Sequence, residues 1–126
     1  MFYYGNKCES VFSARGDTRE KGFDFVAFKR DLLFNRSLAP HPKPVLTLGI
    51  PRVLNFYENF VFWQTLFTRC GINIILSGPS TAALSEKGMG TVMSDNICFP
   101  AKLVHGHIFE LIAKKADRIF FPVIMY

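Results

Sequence analysis

Between two short apolar runs, residues 45–50 (Val-Leu-Thr-Leu-Gly-Ile) and residues 72–76 (Ile-Asn-Ile-Ile-Leu), four aromatic residues fall at helical spacing: Phe56, Phe60, Trp63 and Phe67. Steps of four, three and four place them on one stripe of an α-helix, whereas a strand would scatter them over both faces. An apolar run too short for a helix, then an amphipathic helix, then a second such run is the pattern of a parallel β-α-β unit, because parallel strands need a long crossover. The punctuation agrees: Pro51 closes the first run, and Gly71 follows Arg69 and Cys70 where the helix must stop.

The alternation continues. Ser80 is placed to cap a helix through Ala82, Ala83 and Leu84 to Gly88, and residues 91–93 form a minimal third strand. Pro100 suits the first turn of a further helix, which sets Ala101, Val104, Ile108, Leu111 and Ile112 on one side, and residues 118–121 make a fourth strand. The order β-α-β-α-β-α-β predicts an α/β fold, a small open Rossmann-like parallel sheet of about four strands with right-handed crossovers. Upstream, Pro40, Pro42 and Pro44 favour an extended connection that separates residues 1–43 from the α/β domain of residues 44–126. Turns at Gly16-Asp17 and Lys21-Gly22 and one short helix from Asp24 to Phe34, with Phe25, Phe28, Leu32 and Leu33 at helical spacing, are expected there. Because no covering helix follows the last strand, the domain is expected to belong to a longer protein.

A chain of 126 residues fits one ordinary domain, and 49% apolar residues with 14 Phe supply a real core. The net charge of +5 is dispersed: residues 1–43 hold 8 basic and 5 acidic residues, residues 44–126 hold 7 and 5, and no basic run exceeds two. A nucleic-acid partner, which needs a clustered basic face, is not expected. The apolar runs are too short for a membrane helix and the first residues lack a signal-peptide pattern, so a cytoplasmic protein without a membrane partner is expected. Three widely spaced cysteines with no CxxC pair form neither a disulfide framework nor a zinc site.

In a parallel sheet the loops after successive strands share one edge, where ligands bind. Residues 51–55, 77–80, 94–98 and Pro122 should therefore converge. From that edge Arg52, Asn55, Glu58, Ser94, Asp95, Asn96 and Lys102 are the candidate ligand-binding residues. Asn55 and Glu58 are equally suited to capping the helix that follows. Cys98 lies at a helix start with Lys102 one turn on, two features that favour a thiolate, the form that ligates iron or attacks an electrophile; the alternative is a buried, inert thiol. Cys70 reads as structural. His105 and His107 are two apart on a helix, so they face different ways and do not make a metal pair. One of them could hydrogen-bond at the edge, with Gly106 allowing close helix–sheet contact. Neither a dinucleotide fingerprint nor a P-loop string is present.

Residues 45–59 (Val-Leu-Thr-Leu-Gly-Ile-Pro-Arg-Val-Leu-Asn-Phe-Tyr-Glu-Asn), residues 94–108 (Ser-Asp-Asn-Ile-Cys-Phe-Pro-Ala-Lys-Leu-Val-His-Gly-His-Ile) and the element Gly5-Asn6-Lys7-Cys8-Glu9 together resemble the CoA-substrate-specific enzyme activases, iron–sulfur proteins related to 2-hydroxyacyl-CoA dehydratases and their activators. The resemblance implies ATP-driven, low-potential electron transfer to a dehydratase or reductase of CoA thioesters. It also implies Cys98 and Cys8 as ligands of a [4Fe-4S] or related iron–sulfur cluster. Such a cluster normally takes four thiolates, so its site would be completed outside this chain. The partners implied are other domains of a larger activase protein, or the dehydratase or reductase itself, and the isolated chain is not expected to be catalytic. The competing expectation is a non-catalytic Rossmann-like module that docks domains or binds a small ligand.

Overall fold

The computed structural model describes residues 22–36 and 39–122; Cys8, the Gly5–Glu9 element and the first turn expected upstream lie outside them. The elements are α1 (Phe25–Phe34), β1 (Thr47–Ile50), α2 (Phe56–Arg69), β2 (Asn73–Leu76), α3 (Ala82–Met89), α4 (Phe99–Ala113) and β3 (Arg118–Ile119). The fold is α/β, with a parallel sheet in the order β2-β1-β3. Thr47 to Ile50 register against Asn73 to Leu76, and Leu48 and Gly49 against Arg118 and Ile119.

Among the described residues the sheet has three strands, not four. Residues 91–93, expected as a strand, are a loop joining α3 to α4. The reason is local: the Thr91 N–H and hydroxyl both donate to the Gly88 carbonyl, turning the chain back on the end of α3. Two consecutive helices therefore carry the chain from β2 across β1 to β3.

Successive residues of a strand face opposite ways, and β1 shows what each face meets. Ile50 joins Phe34, Phe56 and Phe60 in a buried cluster, against which Trp63, Phe67, Ile74, Leu76 and Phe120 pack. The aromatic stripe of α2 is thus core, as its spacing predicts. Phe34 binds α1 to it, with ring centroids 5.2 Å from Phe60 and 5.0 Å from Tyr57. The expected apolar face of α1 is not the buried one: Phe25, Phe28 and Leu32 are exposed. Gly49 points the other way, where a Cβ would come within 2.9 Å of Ala116 and 3.3 Å of Leu111, so α4 covers the opposite face at close range.

Helices α2 and α4 end in the same hydrogen-bonded device. After α2, Gly71 takes φ 75° while Gly71 N–H donates to Thr68 O and Ile72 N–H to Phe67 O. After α4, Lys115 takes φ 59°, with Lys115 N–H on Ile112 O and Ala116 N–H on Leu111 O. Both are the Schellman arrangement, which satisfies orphan carbonyls. Glycine announces the first in the sequence, and a lysine in the left-handed region hides the second.

Three further expectations change. The cap of α3 is Thr81, whose Oγ1 accepts the Leu84 N–H at 3.1 Å, rather than Ser80. Gly106 serves a helix–helix contact, not a helix–sheet one: a Cβ there would collide with the Leu84 carbonyl, and one at Gly88 with the Gly106 backbone. Ile112 is exposed, and the buried positions of α4 are Val104, Gly106, His107 and Leu111.

Candidate functional site

The ends of β1 and β2 meet through a chain of polar groups that starts at Arg52. Its backbone N–H donates to Ser77 Oγ at 2.8 Å, and Ser77 Oγ lies 2.7 Å from His107 Nδ1. On the other side of the ring, Nε2 is 3.0 Å from Ser80 Oγ. His107 is wholly buried and Ser77 nearly so, while Ser80 is exposed. Burial lowers the His107 pKa below its ordinary 6.5; Glu110 opposes this and Arg52 adds to it.

One turn further along α4, Glu110 ties the same loop down. Gly78 N–H donates to Glu110 Oε2 at 2.9 Å, and Lys114 Nζ reaches both Glu110 Oε1 and the Leu76 carbonyl at 2.9 Å. Burial alone would raise the Glu110 pKa, but the hydrogen bonds from Lys114 and Gly78 prevail and hold it below 4.5. The loop after β2 is therefore fastened to α4 at Ser77, Gly78 and Ser80.

Beside it, the Arg52 guanidinium lies over the Phe34 ring at 4.3 Å, a cation–π contact, and its buried Nε has no hydrogen-bond partner among the described residues. Leu54, two residues on, takes φ 47°, a conformation uncommon for a bulky side chain. The loop after β1 thus combines an unsatisfied donor with a strained backbone at the sheet edge where α/β proteins bind ligands.

The other sequence-predicted residues lie apart from this network. Asn55 precedes α2 without a side-chain capping bond, its Oδ1 instead 3.3 Å from Asn59 Nδ2. Glu58 pairs with Lys29 at 2.8 Å, joining α2 to α1 at the surface. Ser94, Asp95 and Asn96 are exposed in the α3–α4 loop, where Ser94 Oγ accepts the Asn96 N–H at 3.2 Å. Lys102 Nζ reaches the Asp95 carbonyl at 3.0 Å. Cys98 is the N-cap residue of α4, exposed, and makes no side-chain capping bond. Nine residues, about 14 Å of helix axis, separate it from His107.

Ser77, Ser80, His107 and Glu110 are not among the candidate ligand-binding residues read from the sequence, although residues 77–80 and one of the two histidines are expected at this edge. Their contacts span about thirty residues of sequence, and the available signal was a histidine on the inward face of an otherwise apolar helix. His105 behaves differently, as its spacing predicts: its Nδ1 lies 2.8 Å from Thr91 Oγ1, whose own proton goes to Gly88 O.

A four-thiolate cluster does not fit the described residues by themselves. Cys70 follows α2 on the edge where strands begin and Cys98 lies beyond the edge where they end. No group of three or more His, Cys, Asp or Glu among the described residues is placed to hold a metal ion. No helix among them is long and apolar enough to cross a membrane.

No curated protein and no solved structure matches the chain. A family model does, over residues 47–126, which takes in all three strands, α2, α3, α4 and the network at the strand ends. The chain belongs to the family described as CoA enzyme activase uncharacterised domain (DUF2229).

Proposed function

We propose that this chain is a component domain of an activase-type iron–sulfur protein that supports ATP-driven, low-potential electron transfer to an enzyme dehydrating or reducing CoA thioesters. The observation that carries this reading is the family membership over residues 47–126. The placement of Cys98 supports it: an exposed thiol at the N-cap of a helix of 15 residues, open to a metal or to a partner surface.

In this reading Cys98 presents one thiolate, Cys8 is a second candidate, and the remaining ligands of a [4Fe-4S] or related cluster come from outside the chain. Arg52, Asn55, Glu58, Ser94, Asp95, Asn96 and Lys102 belong to surfaces that meet a ligand, another domain of the larger protein, or the dehydratase or reductase partner. The isolated domain does not turn over substrate, and the protein works in the cytoplasm, where its thiols stay reduced.

The test is iron and sulfide content, with electron paramagnetic resonance, of the full-length parent protein purified without oxygen. Cys98→Ser should lower iron content while Cys70→Ser leaves it unchanged. Equal iron in both variants, or none in the wild type, would defeat the cluster assignment. The strand-end network favours a second reading, a non-catalytic module that docks domains or binds a small ligand; an iron-free parent that still holds its partner would support it.

A further inference from the structure

The polar chain at the strand ends has a direction. Ser77 is 2% exposed, and its Oγ already accepts the Arg52 N–H. A buried hydroxyl must also place its own proton, and the acceptor in reach is His107 Nδ1 at 2.7 Å. A neutral imidazole with Nδ1 as acceptor carries its proton on Nε2. Nε2 therefore donates to Ser80 Oγ at 3.0 Å. An imidazolium would instead aim a second N–H at Ser77 Oγ and displace the serine proton, so this chain holds His107 uncharged.

The positive charge beside it is Arg52. Its guanidinium lies over the buried Phe34 ring at 4.3 Å, which covers one side of the group. Among the described residues no carboxylate pairs with it, and no acceptor meets its buried Nε. Glu110 is taken by Lys114 and Gly78, and Glu58 by Lys29. A guanidinium drawn out of water without an anion is unfavourable, and a cation–π contact offsets only part of that. Arg52 is only partly buried, so the missing anion has a way in from solvent. Lys114, the other cation fastened to this loop, is engaged by Glu110 and the Leu76 carbonyl. With His107 neutral, one unpaired cation matches a single negative charge, and its planar fork matches the two oxygens of a carboxylate.

We propose that Arg52 anchors a carboxylate-binding site at the ends of β1 and β2, in which the carboxylate accepts hydrogen bonds from the guanidinium while Phe34 backs the group and Ser77 holds its backbone. The site binds and does no chemistry. Two sources share this chemistry: a free carboxylic acid of low mass, and an Asp or Glu side chain of another domain. The assignment deepens the ligand role given to Arg52 above and stands whether or not Cys98 ligates iron.

Titration of the ¹⁵N-labelled chain with acetate, acetamide and phosphate at constant ionic strength tests it. Acetate should shift the Arg52 Nε–H signal saturably and bind about tenfold more tightly than acetamide, its neutral isostere. Arg52→Gln should remove the acetate response from the amides of residues 53–57 and 77–78. No saturable shift, equal binding of acetate and acetamide, or tighter binding of phosphate at a pH where it is a dianion would overturn the proposal on the wild-type chain alone, whether or not the variant folds. Line broadening of ¹³C-labelled acetate then separates the sources. Broadening that persists with the full-length parent assigns a free acid, and broadening seen with this chain but lost with the parent assigns a side chain of another domain.

Discussion

The two faces of the sheet are built on different principles. Under α2, contact is made by volume: Phe34, Phe56 and Phe60 are buried, and the rings of Trp63, Phe67 and Phe120 meet edge-on or stacked at centroid distances of 4.7 to 5.7 Å. Under α4, contact is made by absence and by hydrogen bonds: Gly49 admits Leu111, Gly88 and Gly106 let two helices touch backbone to backbone, and a buried histidine bridges two serines. Apolar volume tolerates repacking, because it asks only that space be filled. Backbone proximity and a directed hydrogen-bond chain do not. The geometry-specific half of the molecule is thus the half that carries the strand-end network.

The largest effect should come from breaking the close helix crossing. Gly106→Val sets a branched side chain against the Leu84 carbonyl, so the loss should exceed the ~1–3 kcal/mol of ordinary overpacking, with α3 dislodged from α4. Urea unfolding followed by circular dichroism checks this; a loss below ~1 kcal/mol would show that the crossing relaxes easily.

On the other face Phe60→Ala removes a fully buried ring and should cost ~3–5 kcal/mol. Phe60→Leu, which keeps most of the volume, should cost much less, whereas no substitution with a side chain should be tolerated at Gly106. Similar tolerance at the two positions would erase the contrast between the faces.

A smaller effect concerns pH. The folded His107 pKa lies below its ordinary 6.5, chiefly through burial, so the unfolded chain takes up its proton first as pH falls. The contribution of His107 to stability is full above 6.5 and is lost as pH drops from there toward the folded value. Glu110, held below 4.5 by Lys114 and Gly78 against the effect of burial, adds stability that is present above 4.5 and lost below it. Urea midpoints should therefore fall between about pH 7.5 and pH 5.5, and His107→Gln should flatten that fall. A wild-type midpoint that rises over the same range would contradict the neutral, buried assignment.

What the sequence disclosed follows the same division. The α2 stripe, the strands flanking it and the stop at Gly71 were legible because each is written in local periodicity or in a residue with a conformational monopoly. Thr91, Val92 and Met93 read as a strand because the strand–helix alternation asks for one there, yet hydrogen bonds from Thr91 to Gly88 decide their structure. Ser80 looked like a cap because serine is a good one, and Thr81 took the role while Ser80 turned to His107. Topology alone puts Arg52 and Ser77 on one edge and allows a hydrogen bond there from one of the two histidines. That the histidine is His107, with Glu110 behind it, follows from contacts that no window of sequence contains.

The direction of the polar chain is the claim on which the strand-end site rests, and the long-range ¹H–¹⁵N spectrum of the His107 ring at about pH 7 tests it most directly. The ring should be neutral with the proton on Nε2, and should reach half-protonation only below 6.5, the ordinary histidine value. A proton on Nδ1, or a ring half-protonated at or above 6.5, would contradict this.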